Sequence, residues 1–107
     1  MNDARDFHRL GERLEALSVK NGWEKFHTPG NLARALSVEV GELNELFLWD
    51  GEPRSKAELN DEIADCLLYL LRLAQVAGVD PVAVAHAKMD GNERRVWNAD
   101  GRRDKQK

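Results

Sequence analysis

One segment of this 107-residue chain limits the folds open to it more than any other: Ser55-Lys-Ala-Glu58, followed by an apolar run that ends at Gly78. Ser-x-x-Glu is a capping box, in which the serine oxygen accepts from an otherwise orphaned N–H of the first turn, so a helix starts here. Between Ile63 and Ala74 that helix is apolar over most of its circumference. A helix hydrophobic nearly all round is buried on several sides. A chain of this length forms one domain with a modest core, so covering such a helix calls for a second subunit. The same helix carries Glu62-Ile-Ala-Asp65, and a second acidic pair, Glu39-Val-Gly-Glu42, precedes it. Residues three apart share a helix face, so each pair sets two carboxylates side by side among apolar neighbours such as Val38, Val40, Ile63 and Ala64.

The other elements follow from periodicity and punctuation. Phe7, Leu10, Leu14 and Leu17 recur at spacings of three and four, which predicts an amphipathic helix over about 3–20. Asn21-Gly22 closes it as a left-handed C-cap would. Residues 23–30, Trp-Glu-Lys-Phe-His-Thr-Pro-Gly, read as a connector rich in aromatic rings. Thr28-Pro29 is an N-cap with proline in the first turn. The helix it opens is expected over about 30–49, with Leu32, Leu36, Val40, Leu43 and Phe47 inward, until Asp50-Gly-Glu-Pro53 breaks it. The third helix is expected over about 56–77. Asp80-Pro81 starts a fourth, carrying Val82, Val84, Ala85, Ala87 and Met89 and reaching about Arg95. Within it Gly91 costs roughly 1 kcal/mol relative to alanine. No strand pattern or internal repeat is present. The expected fold is an all-α four-helix bundle, a single domain over 1–107, with about 98–107 a mobile basic tail.

Composition narrows the function classes. A hydrophobic content of 42% with 33% charged residues fits a soluble helical protein, and no apolar run approaches the roughly 20 residues that span a bilayer. The segment Met1-Asn-Asp-Ala-Arg-Asp lacks the layout of a signal peptide. A single cysteine, Cys66, excludes an internal disulfide and suits a reducing compartment; a cytoplasmic location is expected. The net charge of −3 argues against a broad nucleic-acid surface. Positive charge gathers late, in Arg94, Arg95, Arg102, Arg103, Lys105 and Lys107, as a solvated tail or as an anion contact.

Brought together, the two acid-bearing helices hold four carboxylates at one spot. Like charges that close cannot all ionise unless a cation joins them. Hard oxygen ligands in that number point to Mg²⁺, which keeps several waters and often carries substrate phosphates; Mn²⁺ is the natural substitute. Two rival readings compete. In one, the acids are merely solvated and the chain is a non-catalytic helical oligomerisation or adaptor module. That accounts for the apolar third helix but not for acids set among aliphatic residues. In the other, the bundle is a di-metal carboxylate oxidase. That design needs two Glu-x-x-His repeats, and this chain has one, Glu24-x-x-His27, in the connector.

Four blocks of residues resemble a known family. They are Phe26-His27-x-Pro29-x-Asn31-Leu32, Glu39-Val-Gly-Glu42-Leu-x-Glu45-Leu-Phe47-x-Trp49, Glu62-x-x-Asp65-x-x-x-Tyr69-Leu70 and Lys88-Met89-Asp90-x-Asn92-x-Arg94-Arg95. Glu-x-x-Glu, 19 residues and then Glu-x-x-Asp is similar to the signature of the all-α nucleoside triphosphate pyrophosphatases, the MazG-like superfamily. Within it the chain resembles the dCTP pyrophosphatases, over about residues 20–105.

The resemblance implies Mg²⁺-dependent cleavage of a nucleoside triphosphate between its α and β phosphates, with dCTP or a close pyrimidine relative preferred. Such an activity would serve nucleotide-pool sanitation. Glu39, Glu42, Glu62 and Asp65 would hold the metal, and Glu39 or Glu42 would orient or deprotonate the attacking water. Lys88 and Asn92 would bind phosphate or ribose, and Arg94 and Arg95 would either clamp phosphate by bidentate bonding or simply be solvated. Arg102 and Lys105 match the family's basic end, which tends to close over the nucleotide. For the base, Trp23, His27, Trp49 and Tyr69 are the candidates. Tyr69 equally suits core packing, and His27 equally suits capping a turn. Asn31 would read the base amide or fix the backbone. The apolar third helix predicts a homodimer or a dimer of dimers.

Overall fold

A computed structural model describes residues 4–48, 51 and 55–95. Trp49, Arg102 and Lys105, like the expected tail over 98–107, lie outside the described residues. Four α-helices and no strand make up the described chain: α1 (Ala4–Lys20), α2 (Pro29–Glu45), α3 (Lys56–Ala77) and α4 (Pro81–Glu93). The all-α expectation holds. A short 3-10 turn, Trp23–Phe26, occupies part of the expected connector. No single helix among the described residues is long and apolar enough to cross a membrane.

Local signals account for most helix ends. Thr28 Oγ1 accepts from the N–H of Asn31 at 3.1 Å, with Pro29 in the first turn of α2. Ser55 Oγ accepts from the N–H of Glu58 at 3.0 Å and opens α3. Asp80 Oδ1 accepts from Val82 and Ala83, both at 3.1 Å, and opens α4. Each cap satisfies N–H groups that the helix itself leaves unpaired. Gly78, at φ 72°, ends α3. The Val79 N–H donates back to the Ala74 carbonyl at 2.8 Å, the Schellman arrangement that a residue with Cβ resists.

The C-terminus of α2 departs from expectation. The α-helix ends at Glu45 rather than near 49. Leu46, Phe47 and Leu48 then bond three residues back, to Leu43, Asn44 and Glu45. This tighter winding coincides with the burial of Leu46. Val40 and Phe47, expected inward, are exposed, while Leu32 is 2% exposed and anchors the core with Leu46, Leu71 and Ala74.

The closest packing is α2 against α3, with α1 resting on α3 and on the 3-10 turn. The α2–α3 pair is antiparallel: Glu42 lies near Glu62, whereas His27, just ahead of α2, meets Arg72 near the end of α3. At the α1–α3 crossing the Gly11 carbonyl accepts from Gln75 Nε2 at 2.7 Å. A Cβ on Gly11 would lie 3.1 Å from that nitrogen, so glycine permits the approach. Between α3 and α4 the chain turns by 100°, and α4 has no fully buried residue. Apolar side chains of α3 remain open, among them Ile63 (51% exposed), Leu67 and Leu70.

Since Leu32 is enclosed between the helices, Leu32→Ala is expected to cost about 2–5 kcal/mol. Urea denaturation followed by circular dichroism measures that loss.

Candidate metal centre and adjoining cavity

Glu39 and Glu42 stand one turn apart on α2, and Glu62 and Asp65 one turn apart on α3. Pairing of the two helices brings one carboxylate oxygen each from Glu39, Glu42 and Glu62 within 4.8 Å of one another. Asp65 is not part of that trio, yet its side chain is within hydrogen-bonding reach of Glu39. The four acids are therefore neighbours, with three forming the tightest group.

Electrostatics marks this group as one that wants a cation. Burial first, then the charges of Glu42 and Asp65, push the Glu39 carboxyl above its usual range. Burial, then Glu42, Glu39 and Asp65, do the same to Glu62. Glu39 and Glu62 lie within hydrogen-bonding reach of each other, and two carboxyl groups can share a hydrogen bond only if one keeps a proton. Glu62 Oε2 is enclosed and has no hydrogen-bond partner among the described residues. An enclosed carboxylate oxygen without a donor is costly, and a divalent cation with oxygen ligands would satisfy it. The donor set thus fits a hard metal ion. On one side a recess of about 340 Å³ extends the negative field to Glu45, Glu58 and Asp61.

Beyond Asp65 lies a second feature. A cavity of about 450 Å³ is lined by the aromatic rings of Trp23, Phe26, His27 and Tyr69, with Asp65 and Arg72 as its charged members. Its volume falls in the range of small-molecule sites, roughly 300–1,000 Å³. Trp23 and His27 pack with ring centroids 6.0 Å apart. Arg72 Nε donates to His27 Nδ1 at 2.9 Å. Burial and the Arg72 charge, partly opposed by Glu24, hold the imidazole pKa below its usual value.

The remaining candidates are placed differently. Asn31 does not line the cavity; it donates from Nδ2 to the Phe26 carbonyl at 3.0 Å and accepts from Arg34. Through that bond it ties the connector backbone to the first turn of α2. Lys88 and Asn92 sit on α4 and Arg95 in the turn after it, and none of them lines the aromatic cavity. The 100° turn after α3 sets their helix at a steep angle to the one bearing the acids. Arg95 Nη1 donates to Asn92 Oδ1 at 2.9 Å. Sequence reasoning passed over Arg72. Its signal was a lone cation inside Leu-Leu-Tyr-Leu-Leu-Arg-Leu-Ala, a setting in which arginine is rare unless partnered.

Fold and site together define an all-α protein with a candidate divalent-metal centre opening onto an aromatic cavity. No family model matches the chain. It is 49% identical to human dCTP pyrophosphatase 1, over 78% of this chain and 55% of that protein, and 43% identical to the Bos taurus dCTP pyrophosphatase 1 over the same shares. The chain thus spans about half the length of these curated relatives. Among solved structures, a pyrophosphatase from Archaeoglobus fulgidus superposes with a TM-score of 0.75 at 37% identity, over 88% of this chain and 94% of that one. The chain belongs to the all-α nucleoside triphosphate pyrophosphatase family, the MazG-like superfamily.

A raised carboxyl pKa favours the protonated form in the folded state. Stability from Glu39 and Glu62 is then complete below their ordinary value of 4.5 and is lost as pH rises through the raised folded value. The metal-free protein should gain thermal stability as pH falls from neutral toward 4.5, relative to a Glu62→Gln variant. At pH 7 the variant should melt higher than the metal-free wild type and lose its response to added Mg²⁺. Calorimetric melting curves decide both points.

Proposed function

We propose that this chain is a Mg²⁺-dependent pyrophosphohydrolase that converts a nucleoside triphosphate into the monophosphate and pyrophosphate. The observation that carries the proposal is Asp65: it borders Glu39 on one side and lines the aromatic cavity on the other. A ligand with a polyanionic end and a flat apolar end would have both accommodated within a few ångströms of one residue. Nucleotides have that shape. The relatives named dCTP pyrophosphatase 1 and the pyrophosphatase neighbour favour this reading over an adaptor module.

Glu39, Glu42, Glu62 and Asp65 would hold the ion, with Mn²⁺ able to replace Mg²⁺. When bound, the ion supplies Lewis acidity toward phosphate oxygens and water. Glu39 or Glu42, one turn apart on α2, would orient the attacking water and take its proton. Trp23, Tyr69 and His27 would hold the base, since aromatic faces stack on planar rings. Trp49, Arg102 and Lys105 remain proposed contacts from outside the described residues. The preferred substrate is dCTP or a modified pyrimidine relative, and nucleotide-pool sanitation in the cytoplasm is the role such an activity would serve.

We further read the subunit as half of a dimer, or a quarter of a dimer of dimers. Ile63, Leu67 and Leu70 on α3 and Val84 and Met89 on α4 are exposed apolar residues, and such surface in quantity marks an interaction site. An assembly is also the setting in which Lys88, Asn92 and Arg95 of one subunit could meet phosphates held by another.

Pyrophosphate release from a panel of nucleoside triphosphates tests the activity. Glu39→Ala or Glu62→Ala, folded by circular dichroism, should lower kcat/KM by more than about 100-fold, beyond what loss of an outer-shell partner costs. Unchanged release in either variant would remove the metal centre from the chemistry. In sedimentation the protein should run as two or four copies, and a monomer at micromolar concentration would overturn the assembly.

A further inference from the structure

The aromatic cavity contains a cation that the roles above leave unused. Arg72 is 6% exposed, and a guanidinium so deeply placed is costly unless partnered. Among the described residues it forms no ion pair. Its partners are neutral: Nε donates to His27 Nδ1 at 2.9 Å and Nη1 donates to Gln75 Oε1 at 2.8 Å. Gln75 is held in turn, because its Nε2 donates to the Gly11 carbonyl at 2.7 Å. A line of hydrogen bonds thus runs from α1 through α3 to the residue that closes the 3-10 turn.

Two consequences follow from donor chemistry. Arginine has donors and no acceptor, so His27 Nδ1 must carry the lone pair, and the proton of the neutral ring sits on Nε2. His27 lines the cavity, and Nε2–H is its remaining polar group. Second, Arg72 Nη2 has no partner among the described residues, yet it is not enclosed. Glu62 Oε2 is the sole enclosed side-chain nitrogen or oxygen without a partner among them. Arg72 also lines the cavity, so its Nη2–H and the His27 Nε2–H are two donors on a lining that includes the Asp65 carboxylate and the Tyr69 hydroxyl.

We propose that Arg72 is the positioning and specificity-determining residue of the base site: it locks His27 as the Nε2–H tautomer and adds its own Nη2–H donors to the same wall. This rests on the assignment of the cavity to the base. The two donors that Arg72 and His27 offer favour a base edge with two adjacent acceptors. The pairing edge of a cytosine-type pyrimidine has that pattern in N3 and O2. Thymine interposes a donor between its carbonyls, adenine alternates donor and acceptor, and guanine has adjacent acceptors only at N7 and O6 of a larger ring.

Two measurements test this, both on the metal-free full chain. The first is the nitrogen NMR spectrum of the His27 ring at neutral pH, assigned with a His27→Gln variant. The Nε2–H tautomer is expected, and an Nδ1–H tautomer in the wild type would overturn the proposal without any Arg72 variant. The second is calorimetric binding of dCMP, dTMP, dAMP and dGMP to wild type, Arg72→Lys and Arg72→Met. The wild type should prefer dCMP by about tenfold or more, one lost charge-assisted hydrogen bond being worth that much. Arg72→Met should reduce the preference below about threefold and shift the His27 Nδ1 resonance, and Arg72→Lys should restore part of both. An unchanged preference in folded Arg72→Met, or a wild type that prefers dGMP, sinks the proposal. Should Arg72→Met fail to fold, the wild-type tautomer and the lysine variant decide. Binding is separable from turnover: dCMP preference lost in Arg72→Met with no pyrophosphate release by the wild type would sink only the hydrolase reading. Intact release with unaltered base ratios in Arg72→Met would sink only the role of Arg72.

Discussion

Carboxylates on two packed helices repel one another, and the α2–α3 pairing nevertheless holds Glu39, Glu42 and Glu62 within 4.8 Å. The cost is visible in the raised basicity of Glu39 and Glu62 and in the unpartnered Oε2 of Glu62. What keeps the helices together despite it is apolar burial along the same seam. Leu32 from α2, Leu46 just past it, and Leu71 and Ala74 from α3 are the enclosed apolar residues among those described. Each leucine contributes roughly 1.5–3 kcal/mol by leaving water. The fold is thus built to press acids together with a hydrophobic clamp, and a bound cation would turn that strain into affinity. Strain of this kind is retained at functional sites, where the surroundings over-determine it.

The antiparallel register explains why the acids and the aromatic cavity are adjacent. Glu42 near Glu62 and Glu39 near Asp65 lie toward one end of the seam, whereas His27 and Arg72 meet toward the other. Asp65 stands between them and is the only charged residue besides Arg72 on the cavity wall among the described residues. On the proposed reading, the acids and Arg72 act on opposite parts of one ligand. The acid group meets phosphates through a cation, and Arg72 meets the base directly and through His27. Gln75 and the Gly11 carbonyl hold the guanidinium in place, so on that reading α1 contributes to the base end.

How much of this was legible in the sequence depended on the range of the interaction. Helix starts were legible because Thr28, Ser55 and Asp80 act on N–H groups two or three residues away. Gly78 was legible because the left-handed stop is local too. The end of α2 was not, since Leu46 is drawn into a core that periodicity alone cannot locate, and the last turn tightens with it. The acid pairs were legible as shared faces, because i,i+3 spacing fixes that much. Which three of the four approach most closely depends on the rotation and spacing of two helices, and no local rule supplies those. Arg72 was missed for a related reason: its partner His27 is 45 residues away, and a lone cation in an apolar run does not announce a neutral histidine as its acceptor.

The fourth helix bears on how a site of this kind is completed. α4 leaves α3 at a 100° turn and has no fully buried residue, so a single subunit gives it little to pack against. Its caps are sound at the N-terminus, where Asp80 satisfies two N–H groups, but a helix of 13 residues is marginal in water without tertiary support. Its order therefore needs a surface to rest on. The open apolar residues of α3, Ile63, Leu67 and Leu70, are of the kind that a second copy would cover. If the same contact brings Lys88 and Asn92 to phosphates held by the neighbouring acids, subunit association and substrate binding draw on one interface. Dilution would then weaken both together, and nucleotide with Mg²⁺ would strengthen association by mass action.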